Sequence, residues 1–566
     1  MTTLPETDVL IAGAGPVGTT IANLLGSYGI STLIVDRSSH VLDYPRAVGL
    51  DDEALRTFQA TGLAEDMLRD MIQNVPLRMY TARKQCFAEI LPSTREFGWF
   101  RRNLFSQPLG EAVLRRGLAR FPCVQLHLGV ELINLTQDEA GVSATLRDAQ
   151  GVESGVRARY LVGCDGGRSF VREGILKLPF NGRTHEAKWV VIECDQDPLD
   201  APYTALHCEP ARPYVCLRLP YGLRRWEFML FPGEDGEQML APEKVRELLG
   251  RHVANPEKLN VIRARVYTHN SRVAGSFVSG RVCLAGDAAH ITPPWIGQGL
   301  NAGLRDAFNL SWKLAWILQG RLKPELLSSY HDERHAHAKA MIDLADLFGS
   351  VLSQRNRVLA WLRDLFFLSI KNIPRVRNYV LQMKFKPMPR FVKGIVQDSG
   401  DARRDELVGR MFIQPNVERE AGRTQRFDDV VGPRFALLSW RTDALAGAST
   451  GLRAQLERLG CDHYLAERSR SGPGGAASLF PLQHRCHRIE DVDNTLHFWF
   501  QDKKVDWVLI RPDRFIAAAG MEGDAVRQLT TFCETVLPHA DALPAQQATD
   551  AETETETAKP GQLAHA

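Results

Sequence analysis

Residues Asp8 to Arg37 read DVLIAGAGPVGTTIANLLGSYGISTLIVDR, and no other stretch limits the fold as much. A short apolar run, Val9–Ala12, passes straight into Gly13-Ala14-Gly15-Pro16-Val17-Gly18. A helical pattern and a second apolar run, Thr32–Val35, follow. Glycines spaced G-x-G-x-x-G at a strand-to-helix passage have separate tasks. The first permits the tight turn, the second lets a pyrophosphate approach the backbone, and the third lets helix and strand pack closely. The N–H groups opening the helix, at the positive end of its dipole, suit phosphate oxygens. Asp36, next to Arg37, follows about twenty residues on, where an acid accepts hydrogen bonds from a ribose diol. Glycine turns alone are common, but strand, turn, helix, strand and acid in one register mark an ADP-binding βαβ unit. The expected dinucleotide contacts are Gly13, Ala14, Gly15, Pro16, Val17, Gly18, Asp36 and Arg37.

The 566 residues leave room for several domains, and 44% hydrophobic with 24% charged residues is ordinary globular composition. Lys and Arg total 69 against 67 Asp and Glu, a net charge of +2. That balance gives no reason to expect nucleic acid or an acidic membrane as partner. No run approaches the ~18 apolar residues of a membrane helix, and the first residues carry acids rather than a basic leader. Ten cysteines without a C-x-x-C pair read as reduced, mostly buried thiols, so a cytoplasmic protein is expected. His484, Cys486 and His487 lack a second ligand pair, and no metal is expected there.

Along the chain, Asp43–Ala47 reads as a loop, while Asp51–Thr61 and Gln107–Leu118 have helical spacing. Val124–Leu128, Val130–Leu135, Val142–Leu146 and Arg159–Cys164 read as strands. Lys188 to Val278 alternates and is aromatic, with Pro and Gly at the breaks, as in an antiparallel sheet. Arg281–Ala285 returns to a buried strand, and Ala302–Gln319 is a strong helix with helical spacing continuing to about Phe385. In Gly432–Ala519, Thr450–Leu459 reads as helix, and Thr495–Phe500, Trp507–Ile510 and Phe515–Ala519 as strands. The expected division is a first segment of the nucleotide-binding fold (1–180), an inserted sheet (181–278), a second segment of that fold with helices (279–395), a C-terminal domain (400–540) and a disordered tail (541–566).

Two further stretches carry chemistry. In YLVGCDGGRSFVR, Asp165 ends a strand and is followed by Gly166, Ser169 and Arg172, which set a carboxylate, a hydroxyl and a guanidinium around a polar ligand. In GDAAHITPPWIGQGLNAG, Asp287 follows Gly286 at a strand end, where it suits the hydroxyls of a sugar chain. The glycine-rich turn then brings Gly299, Leu300 and Asn301 to the start of a helix. N–H groups and the dipole there stabilise negative charge developing on a ring, as on the N1–C2=O edge of a reduced flavin.

In this order the three stretches resemble the class A flavoprotein aromatic hydroxylases over Asp8 to about Phe385. DYPRAVGLDDEALRT, EFGWFRRNLFSQP, RPYV, RVYTHN, HAKAMIDL and FKPMP resemble the branch that acts on phenolic propionates. The resemblance implies an α/β protein, a Rossmann-like FAD-binding fold with an inserted antiparallel substrate sheet. It also implies a C-terminal thioredoxin-like domain without redox cysteines, structural or dimer-forming. Gly13, Gly15, Gly18 and Asp36 would hold the ADP half of FAD, and Arg46 and Gln107 would touch it nearer the flavin. Asp165 would serve a motif shared by FAD and NAD(P)H, Asp287 the ribityl chain, and Leu300 with Asn301 the pyrimidine edge. NADH and O2 would be co-substrates. The implied phenolic acid is 3-(3-hydroxyphenyl)propionate, with 3-hydroxycinnamate, hydroxylated ortho to its phenol.

The resemblance implies that the backbone at Pro293 would sit near the phenol oxygen. His290 is either the phenol's base or a cap on the Asp287 turn. His331, His335 and His337, with Glu333, sit on a helix that reads as solvated, and the glutamate is misplaced for H-E-x-x-H. Arg101 and Arg102 are suited to a substrate carboxylate, and equally to a surface or a flavin phosphate. Tyr214, Arg218, Tyr267 and His269 lie on strands roofing the substrate, where packing is the commoner role. Trp312 and Trp316 read as core. The rival functions are a hydroxylase of another phenol, of resorcinol or polyketide type, and a flavin-binding module without turnover.

Overall fold

The computed structural model describes residues 2–3, 6–41, 43–419, 422–468 and 486–539. The expected tail at 541–566 and His484 lie outside the described residues. The first sheet is parallel at its centre. Thr7–Ala12 is flanked by Thr32–Asp36 and by the end of Glu153–Gly163; Val124–Leu128 lies outside the former, and Val282–Leu284 outside the latter. Val9, Leu10 and Ile11 are fully buried, which is why this strand reads as a continuous apolar run rather than an alternation. The chain leaves the sheet at Gly163 and returns to pair beside it only with Val282–Leu284. Val130–Gln137 and Val142–Asp148 extend it as an antiparallel meander.

Between departure and return the chain builds a second, eight-stranded sheet. Its spine is the long antiparallel pair Phe180–Asp195 and Asn260–Ala274. Two of its strands come from much earlier, because Leu77–Tyr80 pairs with Thr204–His207 and Cys86–Ile90 closes the edge. They are too short for an alternation to stand out in the sequence.

The helix Gly299–Leu318 runs beneath the first sheet and packs on Pro16–Ser27. It is almost wholly buried, with Trp312 and Trp316 in the core. The following helix, Ser329–Leu352, corrects the expectation of a solvated face around Glu333. That carboxylate is buried and accepts from Lys313 Nζ at 2.8 Å, Asn309 Nδ2 at 2.7 Å and Arg511 Nη1 at 2.7 Å. A charge drawn into the interior by three donor side chains is invisible to periodicity.

In the C-terminal unit, Phe435–Trp440, the helix Thr450–Leu459 and Cys461–Arg468 form a parallel βαβ unit. Trp507–Ile510 and Ile516–Gly520 then add antiparallel strands on the other side. This strand order, with the closing helix Ala525–Val536, is thioredoxin-like. One expected strand is a helix, Thr495–Lys503. Its run of bulky apolar residues suits a strand, but only Leu496 and Phe500, one turn apart, are buried, while Phe498 is exposed. Among the described residues no helix is long and apolar enough to cross a membrane.

Candidate active site

A cavity of about 390 Å³ opens between the first sheet and the second. Its floor is the glycine turn after Thr7–Ala12. Gly13 has φ +106°, and a Cβ there would stand 2.4 Å from the Cys164 carbonyl oxygen. A Cβ on Gly18 would stand 2.0 Å from the Gly13 carbonyl oxygen, so both glycines let backbone meet backbone. Gly15 differs, because a Cβ on it would meet nothing within 4 Å. Its open side is turned to the cavity, which Gly15, Pro16 and Val17 line. No described side chain caps the helix that begins at Pro16. The turn therefore leaves a bare, positively polarised surface where a pyrophosphate would lie.

Asp36 is held beside this turn, its Oδ2 accepting from Ala14 N at 2.7 Å and its Oδ1 from Ser38 N at 2.8 Å. Ala14 is buried, and its carbonyl accepts from Arg115 Nη2. Arg37 points outward, is exposed, and does not line the cavity.

The returning strand supplies the other wall. A Cβ on Gly303 would stand 2.7 Å from Val17 Cγ2 and 3.1 Å from Gly286 Cα. The two helices thus meet at glycine, and Asp287 is brought into the cavity. Arg46 Nη2 donates to Asp287 Oδ2 at 2.9 Å from the opposite loop. That loop is pinned by Gln107, whose Oε1 accepts from the backbone N of Arg46 and Ala47 at 2.9 and 2.6 Å. Arg225 reinforces it from the second sheet, donating to the Pro45 carbonyl and pairing with Glu193 at 2.6 Å.

Gly299 and Leu300 line the cavity at the start of a second helix without a side-chain cap. Asn301 lines it too, but its side chain is occupied. Nδ2 donates to the Gly297 and Gly49 carbonyls and Oδ1 accepts from Asp51 N. What this helix offers a ligand is its opening N–H groups and its dipole. Two uncapped helix N-termini, one on either helix, therefore face one cavity. Pro293 lies on its wall with an extended backbone, and the Thr292 hydroxyl beside it has no hydrogen-bond partner.

Gly13, Ala14, Gly18 and Asp36 support the cavity's floor without lining it, and besides Arg37 two more expected site residues stand elsewhere. Asp165 does not line the cavity, although Cys164 and Gly166 do. Its carboxylate accepts from Ser169 Oγ and from Val171 N at 3.0 Å and so fixes the turn. His290 is buried behind the wall, its Nε2 2.6 Å from Asp306 Oδ2, which corrects its reading as a base in contact with the phenol.

The histidine that reaches the cavity is His269. It stacks on Trp189 with ring centroids 5.8 Å apart and meets the edge of Trp295 at 5.5 Å. Burial, with the neighbouring His185, lowers it to about 4, so it is a neutral imidazole. Tyr267 also lines the cavity, whereas Tyr214 packs against His207 and His252 and Arg218 is exposed. Arg101 and Arg102 line it as well, and Trp189, Trp295, Arg225, Glu227 and Met383 are among the lining residues without a signal of their own in the sequence. The open glycine face, the two bare helix ends and the Arg46–Asp287 pair fit a dinucleotide that carries a ring able to take up negative charge.

Residues 6–345 match the model of a FAD binding domain, and residues 409–535 that of the HcaD C-terminal domain. A Burkholderia vietnamiensis protein named 3-(3-hydroxy-phenyl)propionate/3-hydroxycinnamic acid hydroxylase 2 is 49% identical over 91% of this chain and 93% of its own length. An Escherichia coli K12 hydroxylase of the same name is 42% identical over 94% of this chain and 96% of its own. Among solved structures, the flavin-dependent monooxygenase PieE superposes with a TM-score of 0.76 at 23% identity, over 94% of this chain and 100% of that one. Aklavinone-11 hydroxylase superposes with a TM-score of 0.75 at 24% identity, over 95% and 100%. Both show the same fold. The chain belongs to the FAD-binding-domain family of flavin-dependent aromatic hydroxylases.

Proposed function

We propose that this flavoprotein uses NADH and O2 to hydroxylate 3-(3-hydroxyphenyl)propionate, and 3-hydroxycinnamate, ortho to the phenol. What carries the reading is that the two bare helix ends and an aromatic box, Trp189, Trp295 and His269, line one cavity. The names of relatives spanning more than nine-tenths of the chain support this substrate.

Gly13, Ala14, Gly15, Pro16, Val17, Gly18 and Asp36 would hold the ADP half of FAD. Arg46, Gln107, Gly286 and Asp287 would hold its middle, and Gly299, Leu300 and Asn301 its ring. Arg37 and Asp165 would act from outside the cavity, Asp165 by fixing the Gly166 turn. Bound there, FAD supplies hydride acceptance from NADH and transfer of one oxygen atom from O2 to the phenol. The backbone N–H groups opening the Gly299–Leu318 helix stabilise negative charge on the ring edge they face. Trp189, Trp295 and Pro293 exclude water from the reacting phenol. The neutral His269 would offer the phenol a hydrogen-bond partner without adding a charge of its own to the cavity.

A substrate panel tests the reading. 3-(3-Hydroxyphenyl)propionate should exceed resorcinol and polyketide phenols in kcat/KM for NADH-dependent diol formation. Preference for one of the others would replace the substrate, and absence of turnover with every phenol would leave a flavin-binding module.

A further inference from the structure

Four arginines line the cavity, Arg46, Arg101, Arg102 and Arg225, and three of them already face a carboxylate. Arg46 pairs with Asp287 at 2.9 Å, Arg225 with Glu193 at 2.6 Å, and Arg101 stands 3.7 Å from Asp52. Arg101 is further held by a hydrogen bond to the Gln382 carbonyl at 3.1 Å. Arg102 donates only from Nε, to the Val75 carbonyl at 3.1 Å, and forms no ion pair among the described residues. Half-buried in the cavity wall without a counter-charge, its guanidinium is desolvated and brought down to about 10. A cation kept in such a place is costly unless a ligand brings the anion.

A second, independent feature lies on the same cavity. Thr204 is 7% exposed, lines the same cavity, and its Oγ1 has no hydrogen-bond partner. Buried hydroxyls without partners are rare in folded proteins and call for a specific cause. Both residues are tied to one short segment, Thr204 N donating to the Pro76 carbonyl at 2.9 Å and Arg102 Nε to the Val75 carbonyl at 3.1 Å. Both line the cavity, whose lining also includes the apolar Leu77 and Leu217.

We propose that Arg102 and the Thr204 hydroxyl receive the carboxylate of the substrate, and that this pair selects phenolic acids over uncharged phenols. The proposal rests on the reading that the substrate is a phenolic acid. A guanidinium offers the carboxylate two parallel donors, and the threonine O–H donates a third hydrogen bond. The apolar wall covers the alkyl linker between the charge and the ring.

The test compares kcat/KM of the FAD-loaded enzyme for 3-(3-hydroxyphenyl)propionate with that for 3-propylphenol, which lacks the charge. Alongside, 3-phenylpropionate, which has the acid but no phenol, is titrated against the flavin absorbance. Arg102→Gln should cut the acid-to-neutral ratio roughly 10- to 100-fold, the worth of a charge-assisted hydrogen bond, and weaken 3-phenylpropionate by a similar factor. Arg102→Lys should recover part of both, and Thr204→Val should lower both by a smaller factor. An unchanged ratio, or equal losses for acid and neutral phenol, would overturn the receptor. Arg102-dependent binding of 3-phenylpropionate without any diol formation would keep the receptor and remove the hydroxylase reading.

Discussion

The imidazole Nε2 of His290 and the Oδ2 of Asp306 lie 2.6 Å apart, and neither residue is exposed to solvent. Asp306 also accepts from Arg334 Nε at 2.8 Å and from Gly286 N at 3.1 Å. Burial alone would raise this carboxyl, but the charges of His290 and Arg334 hold it below its ordinary value. The cluster therefore anchors the turn that presents Asp287. His290→Gln should lower the urea midpoint, with a loss of about 1–3 kcal/mol, and leave the pH profile of kcat in place. A displaced profile with unchanged stability would return His290 to the chemistry.

The glycines of the turn should separate binding from folding. Gly15→Ala places a methyl in open space, so the melting of the FAD-free protein should hold while FAD affinity falls by about tenfold or more, as the close approach to pyrophosphate is lost. Gly18→Ala drives a methyl into the Gly13 carbonyl and should destabilise the FAD-free protein by about 1–3 kcal/mol. Fluorescence titration of FAD and calorimetry of the FAD-free variants distinguish the two. Equal effects of both changes would contradict this division.

Glu333 joins the FAD-fold helices to the C-terminal unit through Arg511. Burial would raise its carboxyl, yet the charges of Arg511 and Lys313 bring it to about 2. A depressed folded value means stability that is present above pH 4.5 and lost as pH falls toward 2. Arg511→Met should cost about 3–5 kcal/mol in denaturant unfolding at pH 7, because it leaves a buried carboxylate short of a partner. The difference from the parent protein should shrink in acid.

Asp52 has the opposite sign. Burial, then the neighbouring Asp51 and Glu53, raise it to about 7 against the attraction of Lys386 and Arg101. A raised carboxyl gives stability that is full below pH 3.8 and lost as pH rises through about 7. Asp52→Asn, which imitates the protonated form, should therefore be the more stable protein at pH 8 in urea, with the gap closing toward pH 4. A gap that widens in acid would contradict the raised value.

Much of this architecture is legible in the chain, for physical reasons that also mark where legibility ends. Gly13, Gly15 and Gly18 announce themselves because a strand buried on both faces and a helix with glycine spacing have little freedom in sequence. The helix Gln107–Leu118, read from its apolar spacing, and the strand Val124–Leu128, read from its alternation, also have their observed bounds. Leu77–Tyr80 and Cys86–Ile90 are not legible, since Leu77–Tyr80 gains its place from Thr204–His207 far along the chain and Cys86–Ile90 only from Leu77–Tyr80 in turn. Thr495–Lys503 misleads because bulky apolar residues favour strands locally while tertiary packing holds only Leu496 and Phe500. His290 and His269 are alike as residue types. Only the fold sends one to Asp306 and the other into the cavity.

The central claim is that one cavity holds FAD with its ring against the Leu300 helix end and a phenolic acid beside it. It is tested most directly by turning over 3-(3-hydroxyphenyl)propionate under 18O2 with the FAD-loaded protein and NADH. The account predicts a 2,3-diol carrying a single labelled oxygen atom, formed in step with NADH consumed. Label-free diol, or NADH consumed with only hydrogen peroxide formed, would contradict it.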